Sequence, residues 1–407
     1  MPKFPVRPAS FVDAADSALK KRINVVLTHC QKTMGPHSRQ IFVGFGELAA
    51  AGAIRLDLRN EDWNPAYGTQ NLIKARLEDE IDILFDTNDG FYWLHEDLER
   101  NIDYFALEIL PRFSYVFKRS CNPEMIRRFG EAGRKFHPLG LNYDVSSRND
   151  PLDRFYSGCG DWLRKMVKRS PLLCRILGKT SNADLDYRLF EASPLIGVKR
   201  GDARVLFLTR LWDPEAEDLL GAAPEVRTLV AADRERINAF RISCLEACRA
   251  EFPGNFIGGL APTPYAQQMA PHLVMPSALT AKKNFMRLVK DSTVCVATAG
   301  LHQSTGWRFA EYIAASRAIV SEPLFDVLPG HFTIGRNYLE FRSSAELVSA
   351  IRSLLSDPHL RLSMMWNNYI YYLSHVRPDN LVMNALHAAL VNSAAGDALS
   401  HGGVVSS

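Results

Sequence analysis

The stretch from Val294 to Leu324, VCVATAGLHQSTGWRFAEYIAASRAIVSEPL, is the most informative part of the sequence. It begins with an apolar run that ends at Ala297, which predicts a buried strand. A second apolar run, Ala318 to Val320, closes it. A loop of small residues and a helical segment lie between the two runs. The stretch therefore predicts a strand–loop–helix–strand unit whose loop faces a helix N-terminus.

The loop and the first helical turn carry groups that suit a phosphate. A helix N-terminus offers free N–H groups and a positive dipole end. Arg308 adds a fork-shaped donor in the first turn, and Glu311 adds an acceptor one turn later. The small residues of the loop are Gly300, Ser304, Thr305 and Gly306. We expect this unit to bind a nucleotide diphosphate and its ribose; the alternative for Arg308 and Glu311 is a surface ion pair.

Composition limits the class of protein. The chain has 407 residues, which suits two domains, and a hydrophobic content of 47% indicates a globular protein. A net charge of +3 is too small to indicate nucleic-acid binding. The sequence contains neither a run of ~20 apolar residues nor a signal-peptide core, so we expect a cytoplasmic protein. The seven cysteines include no C-x-x-C pair, which favours reduced, buried thiols.

Strands alternate with helices along most of the chain, which predicts parallel sheets covered on both faces. The predicted parts are an N-terminal α/β domain, a linker or amphipathic insertion, a second α/β domain that contains the unit described above, and a disordered tail. Their bounds are 1–150, 151–200, 201–392 and 393–407. The long helical region from Ala345 to Asn392 includes a C-terminal helix that can return to the first domain.

The segment from Glu311 to Val320, EYIAASRAIV, resembles the E-A-x-A-x-G-x-P-V-V run of GT-B glycosyltransferases. It departs from that run at Ser316 and Arg317, and Gln303 stands where one large subgroup has a glutamate. The Arg-x-x-Glu pair is more similar to the exostosin-type and CgeB-like branches. The resemblance covers roughly 201–390. It implies an α/β fold of two Rossmann-like domains that face a cleft, with a C-terminal helix returning to the first domain.

The resemblance makes 1–150 the acceptor-side domain and 201–392 the nucleotide-sugar-binding domain, and it implies further donor-binding residues. Arg210 follows the strand that ends at Thr209 and matches the arginine of the family's G-R-L segment. The companion lysine of that segment is missing, and Lys282 or Lys283 is a candidate to replace it. We assign Lys283 to the site, although a solvated basic pair is the alternative. Glu322 ends a strand and is expected to accept from a sugar hydroxyl or to cap a loop.

Four polar residues follow predicted N-terminal strands, where a GT-B enzyme receives its acceptor. They are His29, His37, Asp86 and Asp89. An inverting enzyme needs a carboxylate or a histidine near the acceptor hydroxyl to remove its proton. We place Asp89 first for this role and His37 second, and we keep Asp86 as a further catalytic candidate. The alternatives are a turn-forming aspartate and a satisfied loop histidine.

Two further segments bear on metal binding and on membrane contact. Asp184 and Asp186 spell D-x-D, the metal-binding motif of GT-A enzymes, but they do not follow a predicted strand, so we expect no metal site. The segment 162–179 alternates apolar and basic residues. It is either an ordinary amphipathic helix or a peripheral contact with the inner face of the cell membrane, which would suit a lipid-linked acceptor.

The resemblance implies a metal-independent hexosyl- or related transferase. It would move a sugar from a nucleotide sugar, which is a substrate and not a cofactor, to a glycan or glycolipid in surface polysaccharide biosynthesis. A nucleotide-dependent oxidoreductase is disfavoured because no G-x-G-x-x-G follows the first strand. The alternative that stays open is a nucleotide-binding α/β protein that either has no catalytic activity or catalyses a different reaction.

Overall fold

The structure is a computed structural model that describes residues 22–29, 35–61, 63, 71–91, 98–152, 170, 185–195, 203–215 and 224–401. Within these ranges the chain forms two α/β domains that face each other across a cleft. Apart from Ser170, the predicted amphipathic segment 162–179 lies outside the described residues, and so does Asp184.

The first domain is built on a sheet of six strands. They are β1 Ile23–His29, β2 Ile54–Asn60, β3 Leu72–Leu77, β4 Ile81–Asp86, β5 Tyr115–Lys118 and β6 Phe136–Pro138. Their order in the sheet is β2-β1-β3-β4-β5-β6. The sequence predicts a parallel sheet, but β3 runs antiparallel to both of its neighbours. A short turn follows β3, and its residues Glu78 and Asp79 have φ of 49° and 63°. A tight hairpin joins only antiparallel strands, so β3 and β4 run in opposite directions.

Helices cover this sheet on both sides. Those within the first domain are α1 Arg39–Ala50, α2 Leu98–Tyr104 and α3 Pro123–Arg127. Helix α1 buries Phe42 and Phe45 completely against the apolar side chains of β1 and β4. The opposite face carries a cluster of aromatic side chains around Phe91 and Phe105, whose ring centroids lie 5.2 Å apart.

The second domain is built on a parallel sheet of five strands. They are β7 Val205–Thr209, β8 Phe256–Leu260, β9 Val294–Ala297, β10 Ala318–Ser321 and β11 Leu339–Glu340. Their order is β11-β10-β9-β7-β8. The helices of this domain are α4 Pro224–Glu251, α5 Pro264–Met269, α6 Ser277–Thr280, α7 Lys282–Asp291, α8 Trp307–Ala314, α9 Ser344–Ser356 and α10 Pro358–Tyr371. The predicted strand–loop–helix–strand unit is therefore β9, a loop, α8 and β10.

The C-terminal helix, α11 Pro378–His401, packs on the first domain. A π-helical turn, Tyr372–Val376, carries the chain to it from α10. Leu381, Val382 and Leu386 belong to the same buried cluster as the side chains of α1 and β1. The helix runs to His401, into the segment 393–407 that the sequence predicts to be a disordered tail.

The two domains also share a hydrophobic cluster. Tyr143 and Phe190 pack edge to face, and both belong to a cluster that continues into Phe285 and Tyr312 of the second domain. The backbone N–H of Ala192 donates to the Ala314 carbonyl at 3.2 Å, where α8 ends. Residues 185–195, within the predicted linker 151–200, therefore hold the domains together rather than separating them.

Candidate active site

A cleft of about 460 Å³ lies between the domains, where the carboxyl ends of the parallel strands meet. The second domain contributes most of its lining, and the first contributes His37, Asp89 and Arg119. The cleft brings together ten of the residues that the sequence predicts for the site. They are His37, Asp89, Arg210, Gly300, Ser304, Thr305, Gly306, Arg308, Glu311 and Glu322. Asp86 and Lys283 are not part of its lining.

The loop between β9 and α8 turns tightly beneath the cleft. The N–H of Gly300 donates to the Ser304 carbonyl at 2.8 Å, and a Cβ at Gly300 would lie 2.7 Å from the Ser304 hydroxyl. His302 and Gln303 take left-handed φ of 54° and 60°, which few non-glycine residues adopt. Helix α8 begins after Gly306 with no side-chain cap, and its first residues, Trp307 and Arg308, line the cleft.

Three arginines converge on this loop. Arg210 follows β7 and stacks on the Trp212 ring at 3.7 Å from the centroid, and Arg308 lies 5.1 Å from the Phe285 ring centroid. Burial lowers the pKa of Arg210, and the charges of Arg308 and Arg234 lower it further. The cations repel one another, so an anion placed among them would be stabilised.

The third arginine, Arg241, was not predicted from the sequence as a residue of this site. It donates to the carbonyls of Arg210 and Ala299 at 2.6 and 2.8 Å and to the Thr298 hydroxyl at 3.1 Å, so it joins the loops after β7 and β9. Burial lowers its pKa to about 10, and Arg308 contributes to the shift. A signal was present, because Arg241 lies at helical spacing among the buried side chains Ile237, Cys244, Leu245 and Cys248.

Glu311 lies on the buried side of α8 and is paired with Lys282. The structure thus excludes the surface ion pair of Glu311 with Arg308. It also corrects the choice between the two lysines, because Lys282 lines the cleft while Lys283 is exposed. The physical reason is helical spacing, since neighbouring residues at the start of α7 point in directions about 100° apart.

Glu322 follows β10 and fixes the loop after β9. Its carboxylate accepts from the Ala299 N–H at 2.7 Å. Burial raises the pKa of this carboxyl, and the hydrogen bond from Ala299 with the charge of Arg241 opposes that rise. The loop-capping alternative is therefore realised, and the side chain also lines the cleft.

The first domain presents Asp89 and His37 to the cleft. Asp89 forms an ion pair with Arg119. The His37 ring packs on Trp307 of α8 with centroids 4.7 Å apart, and its Nδ1 has no hydrogen-bond partner among the described residues. Burial, with the charge of Arg119, lowers the pKa of His37 to about 4, so the imidazole is neutral at pH 7.

Asp86 does not face the cleft, and its prediction as a catalytic residue is corrected. The side chain is completely buried and pairs with Lys118 of the neighbouring strand, at 2.7 Å from Nζ to Oδ2. Its other oxygen accepts from the N–H of Asn88 at 3.0 Å. The carboxylate therefore shapes the turn that presents Asp89. His29 is also buried, with its ring edge against Phe42, and is not part of the cleft lining.

Neither a metal site nor a membrane span is found in the described part of the chain. Asp186 accepts from the N–H of Arg188 at 3.0 Å and so caps a 3-10 turn. Within the described ranges, histidine, cysteine and acidic residues form no group of three that could hold a metal ion. Among the described helices, none has both the length and the apolar content to cross a membrane.

Residues 241–386 match a family model described as glycosyl transferase-like. Solved structures to which the chain is similar include WaaG, a glycosyltransferase involved in lipopolysaccharide biosynthesis, at 11% identity and a TM-score of 0.37 over 85% of this chain and 80% of WaaG. HepE from Anabaena, in complex with UDP and glucose, has 11% identity and a TM-score of 0.33 over 88% of this chain and 98% of HepE.

A third similar structure is the C-terminal domain of LpcC, a group 1 family glycosyl transferase from Francisella tularensis, at 12% identity and a TM-score of 0.32. The match covers 47% of this chain and 98% of that domain. No curated protein matches the chain. The family match spans α8, β10 and the helices that follow, and two α/β domains enclose the cleft. Residues 241–386, which include the unit β9–loop–α8–β10 and most of the second domain, are therefore similar to the glycosyl transferase-like family.

Proposed function

We propose that this protein transfers a sugar from a nucleotide sugar to a hydroxyl of a glycan or glycolipid acceptor in surface polysaccharide biosynthesis. The observation that carries the proposal is the convergence of Arg210, Arg241 and Arg308 on the open N-terminus of α8. A nucleotide diphosphate brings the negative charge that this arrangement stabilises.

Within this proposal, each side of the cleft has a separate task. The loop Gly300–Gly306 and the arginines hold the diphosphate and stabilise the charge that grows on it as the glycosidic bond breaks. Glu311, neutralised by Lys282, accepts from ribose hydroxyls. Asp89 and His37, on the opposite wall, receive the acceptor hydroxyl. The two substrates lie between the domains, so closure of the domains around them excludes water and limits hydrolysis of the donor.

Thermal shift with UDP, GDP, CMP and ADP tests the binding part of the proposal. A ligand at 100 times its dissociation constant stabilises the folded protein by ~2.7 kcal/mol. We expect a rise in Tm with at least one of the nucleoside diphosphates. Unchanged Tm with all four would contradict a nucleotide donor.

Arg308→Ala should weaken nucleotide binding by ~1.5–3 kcal/mol, because it removes a charge-assisted hydrogen bond to phosphate. Titration calorimetry measures this change directly. Arg287→Ala is the matched control, since Arg287 is exposed on α7 and does not line the cleft. Equal nucleotide affinity of folded Arg308→Ala and wild type would refute the phosphate site.

Activity should persist in EDTA, because arginines and a helix N-terminus neutralise the leaving diphosphate without a cation. The measurement is donor turnover before and after dialysis against the chelator, with added Mn²⁺ as a separate arm. Activity lost to EDTA and restored by Mn²⁺ would reopen a metal-binding role for Asp184 and Asp186.

A nucleotide-binding protein without transfer activity is the second candidate. The observation that favours it is that Glu311 and Asp89, two carboxylates of the cleft, each already pair with a cation. Slow hydrolysis of the nucleotide sugar, followed over hours, separates the two functions. An enzyme releases nucleoside diphosphate at a rate that depends on the cleft residues, whereas a binding protein returns the donor intact.

A further inference from the structure

Arg119 lies at the boundary between the two domains, and the roles proposed above do not use it. It follows β5 directly, and its backbone N–H donates to the Asp86 carbonyl at 2.9 Å. The backbone of Arg119 is thereby fixed to the end of β4, beside the turn that carries Asp89. Its side chain is only 6% exposed and lines the cleft.

The guanidinium of Arg119 contacts both walls of the cleft. On its own side it forms the ion pair with Asp89. Across the cleft it donates to the carbonyl of Thr305, within the loop between β9 and α8. One planar group therefore connects an acceptor-side carboxylate to the loop proposed to hold the diphosphate.

Neighbouring contacts hold the same boundary. The N–H of Val327 donates to the Cys121 carbonyl at 3.0 Å, and the Asn122 amide donates to the Phe325 carbonyl at 3.4 Å. Asp326, which lies between Phe325 and Val327 in the sequence, also interacts electrostatically with Arg119. These contacts join the residues after β5 to the loop after β10, so Arg119 meets the second domain in a defined place.

Arg119 is cationic at neutral pH despite its burial. Desolvation lowers its pKa to about 10, while the charges of Asp326 and Asp86 oppose the shift. A guanidinium that keeps its proton cannot serve as a general base. Whatever Arg119 contributes to the reaction must therefore come from its charge and from the groups that it holds in place.

We propose that Arg119 is a positioning residue that sets the Asp89 carboxylate against the donor loop at Thr305. This inference rests on the proposed function, because it assigns to Arg119 the alignment of an acceptor hydroxyl with a bound donor. The two N–H groups of one rigid fork fix both partners at once, and a misplacement of 1 Å costs about 100-fold in rate. Arg119 itself does not touch the reacting atoms.

The test compares four variants: Arg119→Gln, Arg119→Lys, Asp89→Asn and the double variant Arg119→Gln/Asp89→Asn. We expect Arg119→Gln to lower kcat about 100-fold with donor affinity within about 2-fold of wild type, and Arg119→Lys to recover part of the loss. Because Arg119 acts through Asp89, the double variant should be no slower than Asp89→Asn alone. Arg128→Gln is the matched control, since Arg128 pairs with Glu99 outside the cleft lining.

Hydrogen exchange of the ligand-free protein supplies a readout that does not need activity. Arg119→Gln should speed exchange of the amides in 300–306, because the contact with Thr305 is lost. Unchanged exchange there, multiplying effects in the double variant, or near-normal kcat in Arg119→Gln would each overturn the proposal. Failure of the wild type to bind nucleotide or to turn over the donor would instead refute the proposed function. The exchange experiment would then decide alone whether Arg119 fixes the loop 300–306.

Discussion

Asp89→Asn should bind nucleotide as the wild type does and turn over about 100- to 10,000-fold more slowly, a loss of ~2.7–5.4 kcal/mol in transition-state stabilisation. Asp89 lines the first-domain side of the cleft, which the loop between β9 and α8 also lines. Under the proposed function it is therefore placed to take the proton of an incoming hydroxyl. Asparagine keeps the shape of the side chain but cannot accept that proton. Calorimetry for binding and a donor-turnover assay measure the two halves of this expectation.

The matched control for this change is Asp103→Asn, an exposed aspartate on α2. Near-normal turnover of Asp89→Asn would eliminate Asp89 and leave His37 as the candidate base. His37 is neutral and has an open Nδ1 among the described residues, which suits that role, although its pKa of about 4 makes it a weak base. If His37→Gln were also active, a retaining mechanism, which needs no such base, would account better for the reaction.

Gly44→Leu should destabilise the first domain by about 4 kcal/mol or more. A Cβ at Gly44 would lie 2.2 Å from the Pro378 carbonyl oxygen and 2.5 Å from a Val382 methyl group, so α11 must move away from α1. Its displacement would expose Leu381, Val382 and Leu386, and burial of each is worth roughly 1.5–3 kcal/mol. Leucine is a good helix former, so the loss would reflect packing rather than helix propensity.

Denaturant unfolding measures this change, and hydrogen exchange of residues 378–392 locates it. Gly254→Leu is the matched control, because a Cβ at Gly254 meets no atom within 4 Å. Unchanged stability of Gly44→Leu together with protected amides in α11 would show that the close contact between these helices is not needed for the packing of α11.

The sequence predicted the unit β9–loop–α8–β10 well because local signals define it. Two apolar runs, small loop residues and a helical segment lie next to one another in the chain. The antiparallel direction of β3 was not predicted, because it follows from the hairpin that joins β3 to β4. Strand β2 alternates apolar and polar residues in IRLDLRN, the period-2 pattern of an exposed edge strand.

The remaining errors concern contacts between distant segments. Asp86 ends β4 and Asp89 lies three residues later, yet Asp86 is buried in a pair with Lys118 of β5 while Asp89 lines the cleft. Arg119 and Arg241 likewise acquire their roles from partners far away in sequence, such as Thr305 and Ala299. No local pattern of residue types encodes such a pairing, so only the fold reveals it.

The return of α11 to the first domain has a consequence for the order of events during synthesis. A ribosome releases the six strands of the first sheet early, yet the cluster that buries Phe45 and Leu27 is completed by Leu381 and Leu386. All five strands of the second sheet emerge before those residues do. The second domain can therefore finish its core while the first still exposes an apolar face, so the N-terminal domain is the later of the two to reach its final packing.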